Sequence, residues 1–145
     1  GSYHVLVTVS ISGVSHSLSS SFTVTAPPQP PFRLTFTNLK LTDGAGHAIT
    51  TSRANKRVEV HAMWSTSASA SDLTVVLTET LQYRSGKAWK ALGSPLITSF
   101  QASAGKRQYT FSFVPSSSFS QLRVAIALAI DGKTQRRTAV LHVSK

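Results

Sequence analysis

The chain has no cysteine. This removes zinc–thiolate sites, thiol catalysis and redox motifs. It also removes the bond between sheets that a small animal-type sandwich domain usually carries. A fold without that bond is held by packing alone, which points to a bacterial or archaeal surface module, or to an intracellular chain. Long hydrophobic runs are missing as well. The longest wholly apolar stretch, Val124–Ile130, has seven residues, whereas a membrane-spanning helix needs about 20. No secretory signal pattern is present, so export is expected to depend on a segment outside this sequence.

Acidic residues are scarce: Asp43, Glu59, Asp72, Glu79 and Asp131 are the five carboxylates of the chain. A glycosidase needs two carboxyl groups facing one cleft, and a calcium loop draws several oxygens from one acidic segment. Neither pattern occurs here, and Asp43-Gly44 and Asp131-Gly132 read as turns. The histidines (His4, His16, His47, His61, His142) show no metal-binding spacing on a helix. There is no Gly-x-Ser-x-Gly elbow and no phosphate loop. No catalytic residue, metal ligand or cofactor is therefore expected, and the chain reads as a non-enzyme. The most that one loop can assemble is Asp43 with His47, and no pocket joining them to a third polar group is expected.

What is abundant is positive charge. Fifteen Lys and Arg against five Asp and Glu give a formal net charge of +10. Such a balance speaks about partners rather than fold, and makes phosphate polymers, acidic glycans and anionic membranes plausible ligands. The charges are scattered over loops, so solubility and mutual repulsion explain them equally well.

Serine and threonine are also abundant, as in chains where strands and turns dominate. No stretch sustains a helical period, and apolar residues alternate instead. Tyr3, Val5, Val7, Val9 and Ile11 share one face of a first strand, and Leu18, Phe22 and Val24 mark a second, with Ser12–His16 between them. Residues 1–25 are thus expected to form a β-hairpin. A lone hairpin is marginal in water, so this one reads as the last two strands of a preceding sandwich domain, or as a piece that packs on the main one. Residues 26–31, with four prolines in five positions, read as a stiff linker.

From Phe32 to Lys145 about seven strands with turn signals between them are expected, the count of an all-β, immunoglobulin-like β-sandwich. The apolar parity of Phe32–Leu41 slips between Phe36 and Leu39, which predicts a bulge near Thr37-Asn38 or a crossing between sheets. Arg57–Ser65 turns Val58, Val60, Ala62 and Trp64 inward. In Leu73–Tyr83 the inward face is interrupted by Glu79, most simply a bulge or an edge position. Leu96–Phe100, Gln108–Val114 and Leu122–Ile130 follow, then a hairpin at Asp131-Gly132 and a last strand over Thr138–Val143. The long loops are expected at Thr42–Lys56 and Ala102–Gln108.

Two sets of binding residues stand out. Arg53, Lys56, Arg57, Arg84, Lys87 and Lys90 fall on loops that share one end of such a sandwich, where they would form a polyanion-binding cap. Tyr83 and Trp89 would stack on a sugar ring if a three-residue turn set them face to face. With a two-residue turn they lie on opposite faces, and packing is the plainer reading of both.

The stretch Leu81-Gln82-Tyr83-Arg84-Ser85-Gly86-Lys87-Ala88-Trp89-Lys90-Ala91-Leu92 resembles a recurrent hairpin of bacterial immunoglobulin-like repeats, of the form L-Q-x-R-x-G-x-x-W-x-x-L. Gly105, Tyr109, Phe111, Pro115 and Leu122-Arg123-Val124 also fall where such repeats place them. The strand Tyr3–Val9 is similar to the penultimate strand of polycystic-kidney-disease-type repeats. This resemblance implies an extracellular or cell-surface β-sandwich in a multidomain exported protein, partnered by neighbouring domains and serving as spacer, adhesion or interaction module. It supplies no catalytic residue, and the aspartate clusters by which many such repeats hold calcium are missing here. The alternatives from composition are a basic module for a cell-wall polymer, acidic glycan or nucleic acid, and an accessory carbohydrate-binding domain of a secreted hydrolase.

Overall fold

The structure, a computed structural model, describes residues 2–25, 32–67 and 70–145. The chain divides into two compact units, Gly1–Pro31 and Phe32–Lys145. The proline-rich linker at 26–31 lies outside the described residues.

In the first unit, β1 (Ser2–Ile11) pairs antiparallel with β2 (Val14–Thr23). The connection is shorter than the five residues expected. Ser12 and Gly13 alone reverse the chain, with φ of 51° and 81°, the pair of positive values that matches the right-handed twist of flanking strands. The register sets Tyr3 opposite Phe22 and Val7 opposite Leu18, and the Tyr3 and Phe22 rings stack at 5.5 Å. The other face carries hydroxyls, among them Thr8 and Ser17 hydrogen-bonded at 2.8 Å. Tyr3, Val5, Val7, Leu18 and Phe22 are all exposed.

The second unit is a β-sandwich. Its strands are β3 (Leu34–Thr42), β4 (Thr51–Arg53), β5 (Val58–Thr66), β6 (Ala70–Ser85), β7 (Ala88–Ala91), β8 (Leu96–Ala102), β9 (Gly105–Phe113), β10 (Gln121–Ile130) and β11 (Lys133–Ser144). The smaller sheet has the order β3-β5-β9. The larger has the order β4-β11-β10-β6-β7, with β8 also pairing β6. Only β4 with β11 is parallel among the described pairs. The period of two along a strand turns Val58, Val60, Ala62 and Trp64 of β5 and Leu122, Val124, Ile126 and Leu128 of β10 into one buried layer. The register of β3 on β5 shifts between Phe36 and Asn38, the bulge that the parity slip at Thr37-Asn38 predicts. Asp131 and Gly132 turn with φ of 46° and 71°.

Four details differ from expectation. β4 lies inside the segment read as one long loop, and the Ala102–Gln108 loop shrinks to Ser103-Ala104 between β8 and β9. β11 begins at Lys133 rather than Thr138. Finally, Glu79 is neither bulged nor at an edge, since it pairs with Ile126 of β10 on one side and Leu96 of β8 on the other.

The early start of β11 has a structural use. Gln135 lies opposite Leu128 and Arg137 opposite Ile126, so both point between the sheets. There the Gln135 carboxamide accepts from the Phe36 N–H at 2.7 Å and donates to the Leu34 carbonyl at 2.6 Å. Arg137 Nε donates to the Phe36 carbonyl at 2.9 Å. Two side chains thus satisfy the backbone edge of β3 where no strand does, protecting an edge that would otherwise recruit another chain.

Candidate functional site

The β6–β7 hairpin decides which way the aromatic residues face. Gly86 and Lys87 form a two-residue turn, with Gly86 at φ 60°. The register then places Arg84 opposite Trp89 and Tyr83 opposite Lys90. Tyr83 and Trp89 therefore lie on opposite faces of the sheet and do not form one stacking platform. Tyr83 points inward and packs against Phe119 at 4.8 Å. Trp89 lies on the outer face.

On that face two guanidinium groups approach Trp89, Arg84 at 5.3 Å and Arg123 at 4.6 Å from its ring centroid. Arg123 stands opposite Gln82 in the register and donates from Nε to Gln82 Oε1 at 2.8 Å. Its pKa is pushed below the usual arginine value, first by burial and then by the charges of Arg136 and Arg84. The charges of Arg84 and Arg136 thus both reach Arg123. Between them runs a strip of small side chains. Ala125 lies between Thr80 and Thr138, and Ala127 between Thr78 and Arg136. Ala125 is 3% exposed although it faces outward. No carboxylate is found on this face among the described side chains. Arg123 and Arg136 were not singled out from the sequence, because each sits alone within a strand and only the pairing register brings them toward Trp89.

The six basic residues expected to form an end cap fall into two groups. Arg53, Lys56 and Arg57 line a shallow depression of about 390 Å³ with Asp43 and Ile49, and Arg57 pairs with Glu59 at 3.5 Å. Arg84 lies on the sheet face, Lys87 in the turn, and Lys90 is exposed on β7. Pairing of β4 with the end of β11, and of the start of β10 with the end of β6, sets Arg53 and Arg84 at the same end of the larger sheet, with β11 and β10 between them.

Asp43 and His47 do meet, at 3.3 Å, on an exposed loop. Asp43 Oδ1 also accepts the backbone N–H groups of Ala45 and His47, each at 2.9 Å. Those bonds, led by the His47 N–H, hold the carboxyl below its ordinary value. This carboxylate closes its own loop. His61 faces outward on the smaller sheet, where it hydrogen-bonds Thr42 at 2.9 Å, Gln108 at 3.1 Å and Thr110 at 3.2 Å, and lies 3.7 Å from Glu59. Among the described residues no three His, Asp or Glu side chains are grouped to hold a metal ion, and no helix is long and apolar enough to cross a membrane.

No family model matches the chain, and no curated protein matches it by sequence. Solved structures do match it in fold. The sporulation control protein Spo0M from Bacillus subtilis aligns with a TM-score of 0.51 at 12% identity, over 77% of this chain and 49% of that one. The chain thus spans about half the length of that protein. The C-terminal domain of wzt aligns with a TM-score of 0.51 at 12% identity, over 82% of this chain and 80% of that one. A β-glucosidase from Listeria innocua aligns at a TM-score of 0.44 and 10% identity, over 79% of this chain and 16% of that one, and carries no inference at that level. The first two likenesses are of fold alone.

Proposed function

We propose that this chain is a non-catalytic, immunoglobulin-like interaction module of an exported multidomain protein, and that the outer face of its larger sheet holds an anionic polymer. One observation carries the reading: the guanidinium groups of Arg84 and Arg123 both lie against the Trp89 ring, with Arg136 near enough to act on Arg123. Stacking fixes a guanidinium plane against an aromatic ring and leaves its N–H edge for phosphate, sulfate or carboxylate oxygens. A net charge of +10 adds long-range attraction. The non-catalytic part is supported by the work its carboxylates already do. Asp43 closes a loop, Glu59 lies between Arg57 and His61, and Glu79 accepts a hydrogen bond from Tyr109 between the sheets. The hairpin of β1 and β2 is read as part of a neighbouring domain of the same protein, because Tyr3, Val5, Val7, Leu18 and Phe22 share one face and are exposed.

Heparin chromatography at low salt tests the reading. The chain is expected to be retained and to elute as salt screens the contacts. The double variant Arg84→Glu/Arg123→Glu is expected to flow through. Lys40→Glu/Lys106→Glu changes the net charge equally but acts on the outer face of the smaller sheet, and is expected to stay bound. Equal loss in both variants would show that net charge, not this face, governs retention.

A further inference from the structure

The two sheets are clasped on the β3–β11 side by Gln135 and Arg137. On the other side β8 and β9 are the outermost strands of their sheets, and a cavity of about 500 Å³ opens between them. Trp64 and Phe100 line it, with ring centroids 5.5 Å apart. Ser103 adds a hydroxyl group and Arg107 one cation, while the register of β8 on β6 turns the side chains of Ser99 and Gln101 to the outer face. The pairing of β5 with β9 sets Arg107 opposite Trp64, on the face that looks between the sheets. Among the described residues no ion pair uses Arg107, and no carboxylate side chain lines the cavity.

We propose that this cavity is a second binding site, separate from the Trp89 face, and that it takes the terminal uronic acid of an acidic glycan. The volume falls within the range of small-molecule pockets, about 300–1,000 Å³, which suits a sugar ring and is too small for a polymer laid lengthwise. The half-buried Phe100 ring matches the C–H face of a pyranose, and Trp64, 3% exposed, backs it. The Ser103 hydroxyl on the wall matches a sugar hydroxyl, since each can both donate and accept. A single guanidinium without a carboxylate partner matches one carboxylate in bidentate geometry. Val75, at the cavity, and Arg84, beside Trp89, are nine residues apart along β6, about 30 Å at strand rise. One sugar ring cannot touch both sites.

The chain's two tryptophans, Trp64 and Trp89, allow the sites to be read apart. In the variant Trp89→Phe, Trp64 is the only source of indole emission. Tetragalacturonate is expected to change that emission saturably, and the uncharged tetrasaccharide maltotetraose to change it far less. Adding Arg107→Gln is expected to weaken the tetragalacturonate response roughly tenfold or more, the loss expected for a charge-assisted hydrogen bond. Adding Arg123→Gln instead is expected to leave it unchanged even if the outer face proves not to bind polymer. Emission that does not respond to tetragalacturonate, that responds equally to both sugars, or that is indifferent to Arg107→Gln would overturn the assignment.

Discussion

Trp64→Ala is expected to lower the unfolding free energy by about 3–5 kcal/mol, the loss typical of a buried aromatic truncated to a methyl group. Trp64 is 3% exposed at the centre of the smaller sheet, and Phe36 of β3 stands beside it in the register. Phe100 meets it across the layer at 5.5 Å. With no disulfide in the chain, nothing covalent limits the damage. Domains of this size hold a reserve of only about 5–15 kcal/mol, so a large part of it would go. Ser112 lies exposed on the outer face of the same sheet, and Ser112→Ala is expected to stay within about 0.5 kcal/mol of the parent. Urea melts of the three proteins check both statements. A Trp64→Ala loss below about 1 kcal/mol would mean that the sheets are not packed around this ring.

Glu79→Gln is expected to stabilise the chain at neutral pH and to do nothing in acid. Glu79 faces between the sheets, where Tyr109 donates to its carboxyl group and Thr98 in turn donates to the Tyr109 oxygen. The second carboxyl oxygen, Oε2, is buried with no partner. Burial raises the Glu79 pKa above the ordinary 4.5, and the Tyr109 bond opposes the shift only in part. Because the folded value is the higher one, the favourable contribution of the protonated carboxyl is complete below 4.5. It is lost as pH rises through the folded value. Glutamine keeps the shape and the Tyr109 bond without the charge. The gain at about pH 8 should be up to about 1 kcal/mol, the scale of a modest pKa displacement discounted for solvent screening, and should fade toward about pH 4. A gap between variant and parent that stays constant across that range would show that the carboxyl is not ionising in a buried place.

The core of this fold was legible because period-two alternation is a direct image of burial. Leu122, Val124, Ile126 and Leu128 could be assigned inward by counting. The bulge at Thr37 was legible for the same reason, since an extra residue must shift parity. What escaped is what parity does not carry. β4 is three residues long and is held by parallel pairing to the far end of the chain, so no local pattern marks it. Gln135 and Arg137 point inward because they bond the backbone of β3, and polar residues in that role look like a loop from the sequence. The candidate site was partly legible. Arg84 and Trp89 stood out by composition, but whether Trp89 faces Tyr83 or Arg84 depends on one residue of turn length. Arg123 and Arg136 come near them only through the pairing of β10 with β6 and β11.

Binding of inorganic polyphosphate, followed through the two indole N–H signals in a proton–nitrogen NMR titration, would decide whether the Trp89 face is the polyanion surface. Polyphosphate has no sugar ring to enter the cavity at Trp64, so the Trp89 signal is expected to move saturably while that of Trp64 stays in place. The movement should shrink steeply as salt is raised, because each neutralised phosphate releases counterions. If polyphosphate binds and the Trp89 signal does not move, or if no binding occurs at low salt, the outer face of the larger sheet is not an anion-binding surface.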